Sequence, residues 1–162
     1  MIQEQLIELL NVRITNERAS AYLYLAMSRY LTDIGMNGAG KLWYKFYEEE
    51  EEHSEWASHF LLSFGIRPET RIIPGQPLNF DGVRDVVQQT YDHEVDVTHQ
   101  CNELACEAMK LENFNVFALA QRYNSEQIEE MNKVTDLVDQ LNLFGDSGAS
   151  LKLFDKYCAK MV

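Results

Sequence analysis

All three prolines of this chain, Pro68, Pro74 and Pro77, lie between Gly65 and Phe80, so two long stretches on either side contain nothing that must break a helix. Within those stretches apolar residues recur at helical spacing. The pattern predicts helices over about residues 3–32, 37–64, 81–110 and 113–141, a shorter fifth over about 149–160, and one connection, 65–80. Asp33 and Gly35 punctuate the first junction, Asp81 and Asn113 stand where the third and fourth helices need caps, and Gly145 to Gly148 closes the fourth. A helix of nearly 30 residues is about 45 Å long, too long to bury its apolar stripe except against partners of similar length. The short junctions make the first and second helices, and the third and fourth, antiparallel neighbours. The proline-bearing segment is long enough to run the length of the assembly. The expected architecture is therefore all-α, a four-helix bundle with one long crossover and a short fifth C-terminal helix, and 162 residues suit a single domain.

Composition narrows the partners. With 26 acidic residues against 14 basic ones the formal charge is −12, which repels nucleic acid and anionic lipid and attracts cations. No apolar run reaches the roughly 18 residues needed to span a bilayer, and the acidic, polar start at Met1-Ile2-Gln3-Glu4 has no signal-peptide core, so a cytoplasmic protein is expected. Cys101, Cys106 and Cys158 are odd in number and lack paired Cys-x-x-Cys spacing; they read as reduced thiols without an assigned role.

Helical wheels place acids where apolar residues belong. In the first helix Leu10, Glu17, Ala21, Tyr24, Ser28 and Leu31 share a face, with Glu17 at its middle. The second aligns Leu42, Phe46, His53, Ala57, Phe60 and Phe64, flanked by Glu49 and Glu50, and Glu50 and His53 are three apart on one face. Val83, Val87, Glu94, Cys101 and Ala105 align in the third. The fourth aligns Phe117, Ala120, Gln127, Met131, Val134 and Val138, with Glu130 at the edge and Glu126 and Glu129 turned away. Glu17, Glu50, Glu94 and Gln127 each fall near mid-helix, so antiparallel packing brings them into one layer. Several carboxylates in an apolar layer cannot all ionise unless strong cations neutralise them. A pair of metal ions resolves the conflict, with Glu50 bridging, Glu17 and His53 beside one ion, and Glu94 and the Gln127 side-chain oxygen beside the other. Oxygen donors with one imidazole suit Fe(II), Mn(II) or Zn(II) and leave positions open for dioxygen. Tyr24 could hydrogen-bond a ligand or supply an electron.

Each signal alone has a plainer reading. The Glu48–Glu52 run is an ordinary solvated face, yet five successive residues circle the helix and some must point inward. Glu17 or Glu94 alone could be a buried acid paired with Arg or Lys, His53 a satisfied core histidine, Tyr24 simple packing, and Glu126, Glu129 and Glu130 a wet helix face. His59, His93 and His99 receive no role. The coincidence of the acids at one depth is what favours metal.

Four segments carry a resemblance. Asn16-Glu17-Arg18-Ala19-Ser20-Ala21-Tyr22-Leu23-Tyr24, Glu49-Glu50-Glu51-Glu52-His53, Thr90-Tyr91-Asp92-His93-Glu94 and Ser125-Glu126-Gln127-Ile128-Glu129-Glu130 resemble, in order, the metal-site motifs of non-haem ferritins, especially bacterial ones. The resemblance covers nearly the whole chain. It implies a ferroxidase that oxidises Fe(II) with dioxygen or hydrogen peroxide at a di-iron centre. Glu17, Glu50 and His53 would hold one iron and Glu50, Glu94 and Gln127 the other, with Glu130 nearby. It further implies a third iron site at Glu49, Glu126, Glu129 and Glu130, and a 24-subunit homo-oligomeric cage storing ferric mineral, with the fifth helix near its four-fold axes. Several bacterial members carry an aromatic residue directly before the position of Tyr123, where this chain has Arg122, so an electron-donor role is not carried over there.

Three other readings compete. A bacterioferritin would need a second Glu-x-x-His on the fourth helix, where this chain has Glu126-Gln127-Ile128-Glu129-Glu130, and no haem is expected. A rubrerythrin-like di-iron peroxidase would carry a cysteine-rich electron-transfer module that this composition lacks. A purely structural acidic bundle remains the third possibility, its buried glutamates protonated or salt-bridged.

Overall fold

The computed structural model describes residues 1–162 and contains five helices and no strand: α1 Glu4–Asp33, α2 Asn37–Ser63, α3 Gly82–Lys110, α4 Phe114–Phe144 and α5 Gly148–Ala159. None is long and apolar enough to cross a membrane. Helix α4 runs three residues beyond the expected end and stops at Gly145, whose φ of +83° is a left-handed conformation that glycine adopts without strain. Asn113 caps α4 as expected, its side chain accepting from the Val116 amide. Asp81 does not cap α3: its side chain makes no capping bond, and Asp85 reaches back to accept from the Asp81 amide instead.

Pairing follows the junctions, α1 against α2 and α3 against α4, with α5 laid across α2 and α4. Two anchors fix the crossover. Near its start the Glu69 amide donates to Asn11 and Arg71 grips Glu8, both early in α1; at its end the Gly82 amide donates to the Tyr30 hydroxyl, late in α1. These contacts lie about 20 residues apart on α1, roughly 30 Å at 1.5 Å per residue, so the segment spans the bundle lengthwise and starts α3 antiparallel to α1.

The core is divided. One cluster of 15 buried residues, including Met27, Leu42, Trp43, Phe46, Val86 and Leu137, fills one half, and a second of 14, including Leu6, Leu10, Ile14, Leu61, Leu104 and Leu119, fills the other. Between them lie the buried polar side chains of Glu17, Glu50, His53, Glu94, Gln127 and Glu130. The two apolar halves therefore hold four helices in register around a polar midlayer. The wheels misjudged two edges. Phe64 lies just past the end of α2 and is exposed, and Phe60 is only half-buried. On α4 the buried face runs through Tyr123, Glu130 and Leu137 while Met131 and Val138 are half-buried, because a wheel that weighs only apolar residues cannot see a glutamate drawn inward.

Helix α5 completes α2. No side chain of Met36 caps α2; Asp155 of α5 does so from a distance in sequence, accepting from the Ala39 amide at 2.8 Å. Phe154 and Cys158 of α5 are fully buried, and Gly38 lets the helices touch, since an added Cβ would fall on the Asp155 carbonyl. Replacing Asp155 with Ala is expected to cost about 1 kcal/mol, the usual value of a helix cap, read as a lower unfolding midpoint in denaturant. An unchanged midpoint would show that α5 does not brace the start of α2.

Candidate metal centre

Four helices each send a polar side chain into the midlayer, and all six groups there are at most 6 % exposed. Glu17 and Tyr24 lie seven residues apart on α1, two helical turns, and so share a face. Glu50 and His53 are one turn apart on α2, with His53 Nδ1 3.2 Å from Glu50 Oε2. One ligand atom from each of Glu17, Glu50 and His53 lies within 4.8 Å of the others. Across the layer, Glu94 of α3 accepts from the Tyr24 hydroxyl on one oxygen and from Gln127 Nε2 at 2.6 Å on the other. Gln127 thus turns its amide nitrogen, not the expected oxygen, toward Glu94, and donates to the Glu94 carbonyl as well, at 3.2 Å.

Electrostatics mark the layer as short of positive charge. Burial pushes Glu17 well above the ordinary carboxylate range, and Arg13 opposes the shift. Burial pushes Glu50 up to about 8, with the charges of Glu94 and Glu130 adding to it. Glu130 is raised to about 7 by burial, despite its bond to Lys133. The Tyr24 phenol is held well above its usual range by burial and by Glu94, so it stays a donor. Glu17 Oε2, buried inside the cluster, has no hydrogen-bond partner. A buried carboxylate oxygen left empty-handed among raised acids fits a cation bound there.

Sequence reasoning placed Glu17, Glu50, Glu94 and Gln127 at one depth with His53 and Tyr24 on the same faces and Glu130 at the edge of α4; all seven side chains are buried, Glu130 included. It turned Glu126 away from the core, whereas Glu126 Oε1 lies 3.8 Å from His53 Nε2, and His53, Glu126 and Glu130 form a second close group. Glu126 and Glu130 are four apart, so the rotation that buries one brings the other in. Glu49 is half-buried and faces Lys133, and Glu129 is exposed and joins neither group.

Six neighbours were not anticipated. Arg13 is buried beside the layer, its Nε 2.8 Å from Glu17 Oε1 and its Nη1 donating to Cys101 Sγ at 3.6 Å. Lys133 hydrogen-bonds Glu130 Oε1 at 2.9 Å and Glu49 Oε2 at 3.3 Å. Trp56 packs on His53 with ring centroids 4.7 Å apart and on Tyr123 at 5.3 Å, while Arg122 stacks over its outer face at 3.6 Å; the Tyr123 hydroxyl donates to the His53 carbonyl at 2.7 Å. His93, given no role, meets Ser20 Oγ at 2.7 Å and sets its ring edge-on to Tyr24. Arg13 precedes Glu17 by four and Lys133 follows Glu130 by three, the spacings at which helical side chains pair, so both were open to detection.

Comparison with known proteins shows the family. The Ferritin-like domain family matches residues 7–144. A bacterial non-heme ferritin of Campylobacter jejuni is 31% identical over 97% of this chain and 94% of its own length, and one of Escherichia coli is 31% identical over 96% and 94%. An open pore ferritin from the archaeon Archaeoglobus fulgidus superposes with a TM-score of 0.95 at 32% identity, covering 98% of both chains. On its fold, its buried acidic midlayer and these likenesses, the chain belongs to the ferritin-like family.

Proposed function

We propose that this chain is the subunit of an iron-storage ferritin that oxidises Fe(II) in its midlayer and delivers the product to the interior of a homo-oligomeric cage. The observation that carries this is the set of Glu17, Glu50, Glu94 and Glu130 with His53 at one buried depth, including the unpartnered Glu17 Oε2. Names of the relatives support iron as the cargo, and the family resemblance supports a 24-subunit shell built from the whole chain as one domain. Three free thiols, Cys101, Cys106 and Cys158, suit the reducing cytoplasm.

Iron is the substrate, and the side chains divide the work. Glu17 and His53 would hold one Fe(II), Glu94 the second, and Glu50 would bridge them. Gln127 would serve the second position by turning its oxygen inward, which frees the Glu94 oxygen it now occupies. Tyr24 keeps the other Glu94 oxygen oriented, and Tyr123 fixes the backbone beneath His53. Two Fe(II) supply two electrons, which with two protons convert dioxygen to hydrogen peroxide, or peroxide to water. Hydrolysed Fe(III) prefers water and oxide to a mixed carboxylate–imidazole site and departs on the side of Glu126 and Glu129. A rubrerythrin-like peroxidase is the weaker reading, because the relatives that match nearly the whole chain are named as ferritins.

Two outcomes test the reading. Removing the bridge and a ligand with Glu50→Ala and His53→Ala is expected to slow the initial rate of aerobic Fe(II) oxidation at least ten- to hundred-fold, since even outer partners of metal ligands are worth that much. Unchanged rates would end the ferroxidase assignment. The second concerns pH. Glu50 near 8 and Glu130 near 7 sit above the unperturbed 4.5, so in the metal-free protein each contributes stability that is complete below about pH 4.5 and lost as pH rises through 7 to 8. Melting temperature of the metal-free protein is therefore expected to fall from pH 5 to pH 8.5, and saturating Zn(II) is expected to abolish that slope by replacing the protons. A metal-free profile that rises over the same range contradicts the buried-acid account.

A further inference from the structure

Next to the Glu17–Glu50–His53 group lies the second one, formed by His53, Glu126 and Glu130, with Glu49 across from Glu130 on α2. A cation approaching it meets one that the chain already supplies. Lys133, one turn beyond Glu130 on α4, places its ammonium 2.9 Å from Glu130 Oε1 and 3.3 Å from Glu49 Oε2, bridging α4 to α2. The Glu130 side chain is 5% exposed while those of Lys133 and Glu49 are 31% and 27% exposed, so the ammonium closes the layer on its wetter flank. An ammonium is a compact point charge with three donors. Between two carboxylates it supplies the neutralisation a metal ion would, but offers no open coordination position.

We propose that Lys133 is a resident cation that fills the outer position between Glu49 and Glu130, so that the subunit takes up two divalent ions and not a third. The inference rests on the two-ion reading of Glu17, Glu50, His53 and Glu94. A third divalent ion would have to settle against a fixed positive charge while losing two of its donors to that charge. Glu129 cannot compensate, because it is exposed and stands apart from the group. Three acidic residues that would otherwise welcome an ion, Glu49, Glu126 and Glu130, are thereby reduced to a passage that product must cross by displacing a lysine.

The test is anaerobic isothermal titration of the assembled protein with Fe(II), counting tightly bound ions per subunit. Two are expected for the wild-type protein, three for Lys133→Met, and two for Lys133→Arg, which keeps the charge. Lys133→Gln carries the same expectation as Lys133→Met should the methionine variant fail to assemble. Three ions in the wild type, or two in both neutral variants, overturns the proposal. Fewer than two in the wild type would overturn the two-ion reading itself, which separates the two failures.

Discussion

Glu17, Glu50, Glu94 and Glu130 are held at one depth between two apolar clusters, and the cost of burying that much negative charge governs the rest of the molecule. Side chains of the chain itself offset part of it: Arg13 at Glu17, Lys133 at Glu130, and the hydrogen bonds of Tyr24 and Gln127 to Glu94. Burial lifts Glu17, Glu50 and Glu130 out of the ordinary carboxylate range, which favours their protonated forms. The midlayer is thus less stable than an apolar one would be, and the two flanking clusters supply the rigidity that lets it persist.

The two cations are not equivalent. Arg13 is buried and fixed against Glu17 and Cys101, whereas Lys133 is half-exposed and faces Glu130 and Glu49. Trp56 packs on His53 and on Tyr123, with the Arg122 guanidinium stacked on Trp56.

The fold was legible because its strongest signals are local. Confinement of the prolines to one segment and the apolar period of the flanking stretches are enough to require long helices, and short junctions settle which of them pair. Glu17, Glu50 and Glu94 were legible for a related reason: an acid at the centre of an apolar stripe is conspicuous. Rotation of α4 was not, since Glu130 and Met131 compete for the same face and only packing against α2 and α3 decides between them. The cap of α2 by Asp155 was hidden for another reason, being a contact between residues 116 apart in sequence. Arg13 and Lys133 escaped because charged residues near a helix edge read as solvated until the acid they face is known to be buried.

The central claim is that divalent ions belong among these buried carboxylates. Anomalous diffraction from crystals soaked anaerobically in Fe(II), collected across the iron edge, tests it most directly. Two peaks are expected inside the bundle, one bounded by Glu17, Glu50 and His53 and the other by Glu50 and Glu94. Iron found only on the outer acidic surface, with Glu17 still paired to Arg13 and Glu94 still held by Gln127, would contradict it.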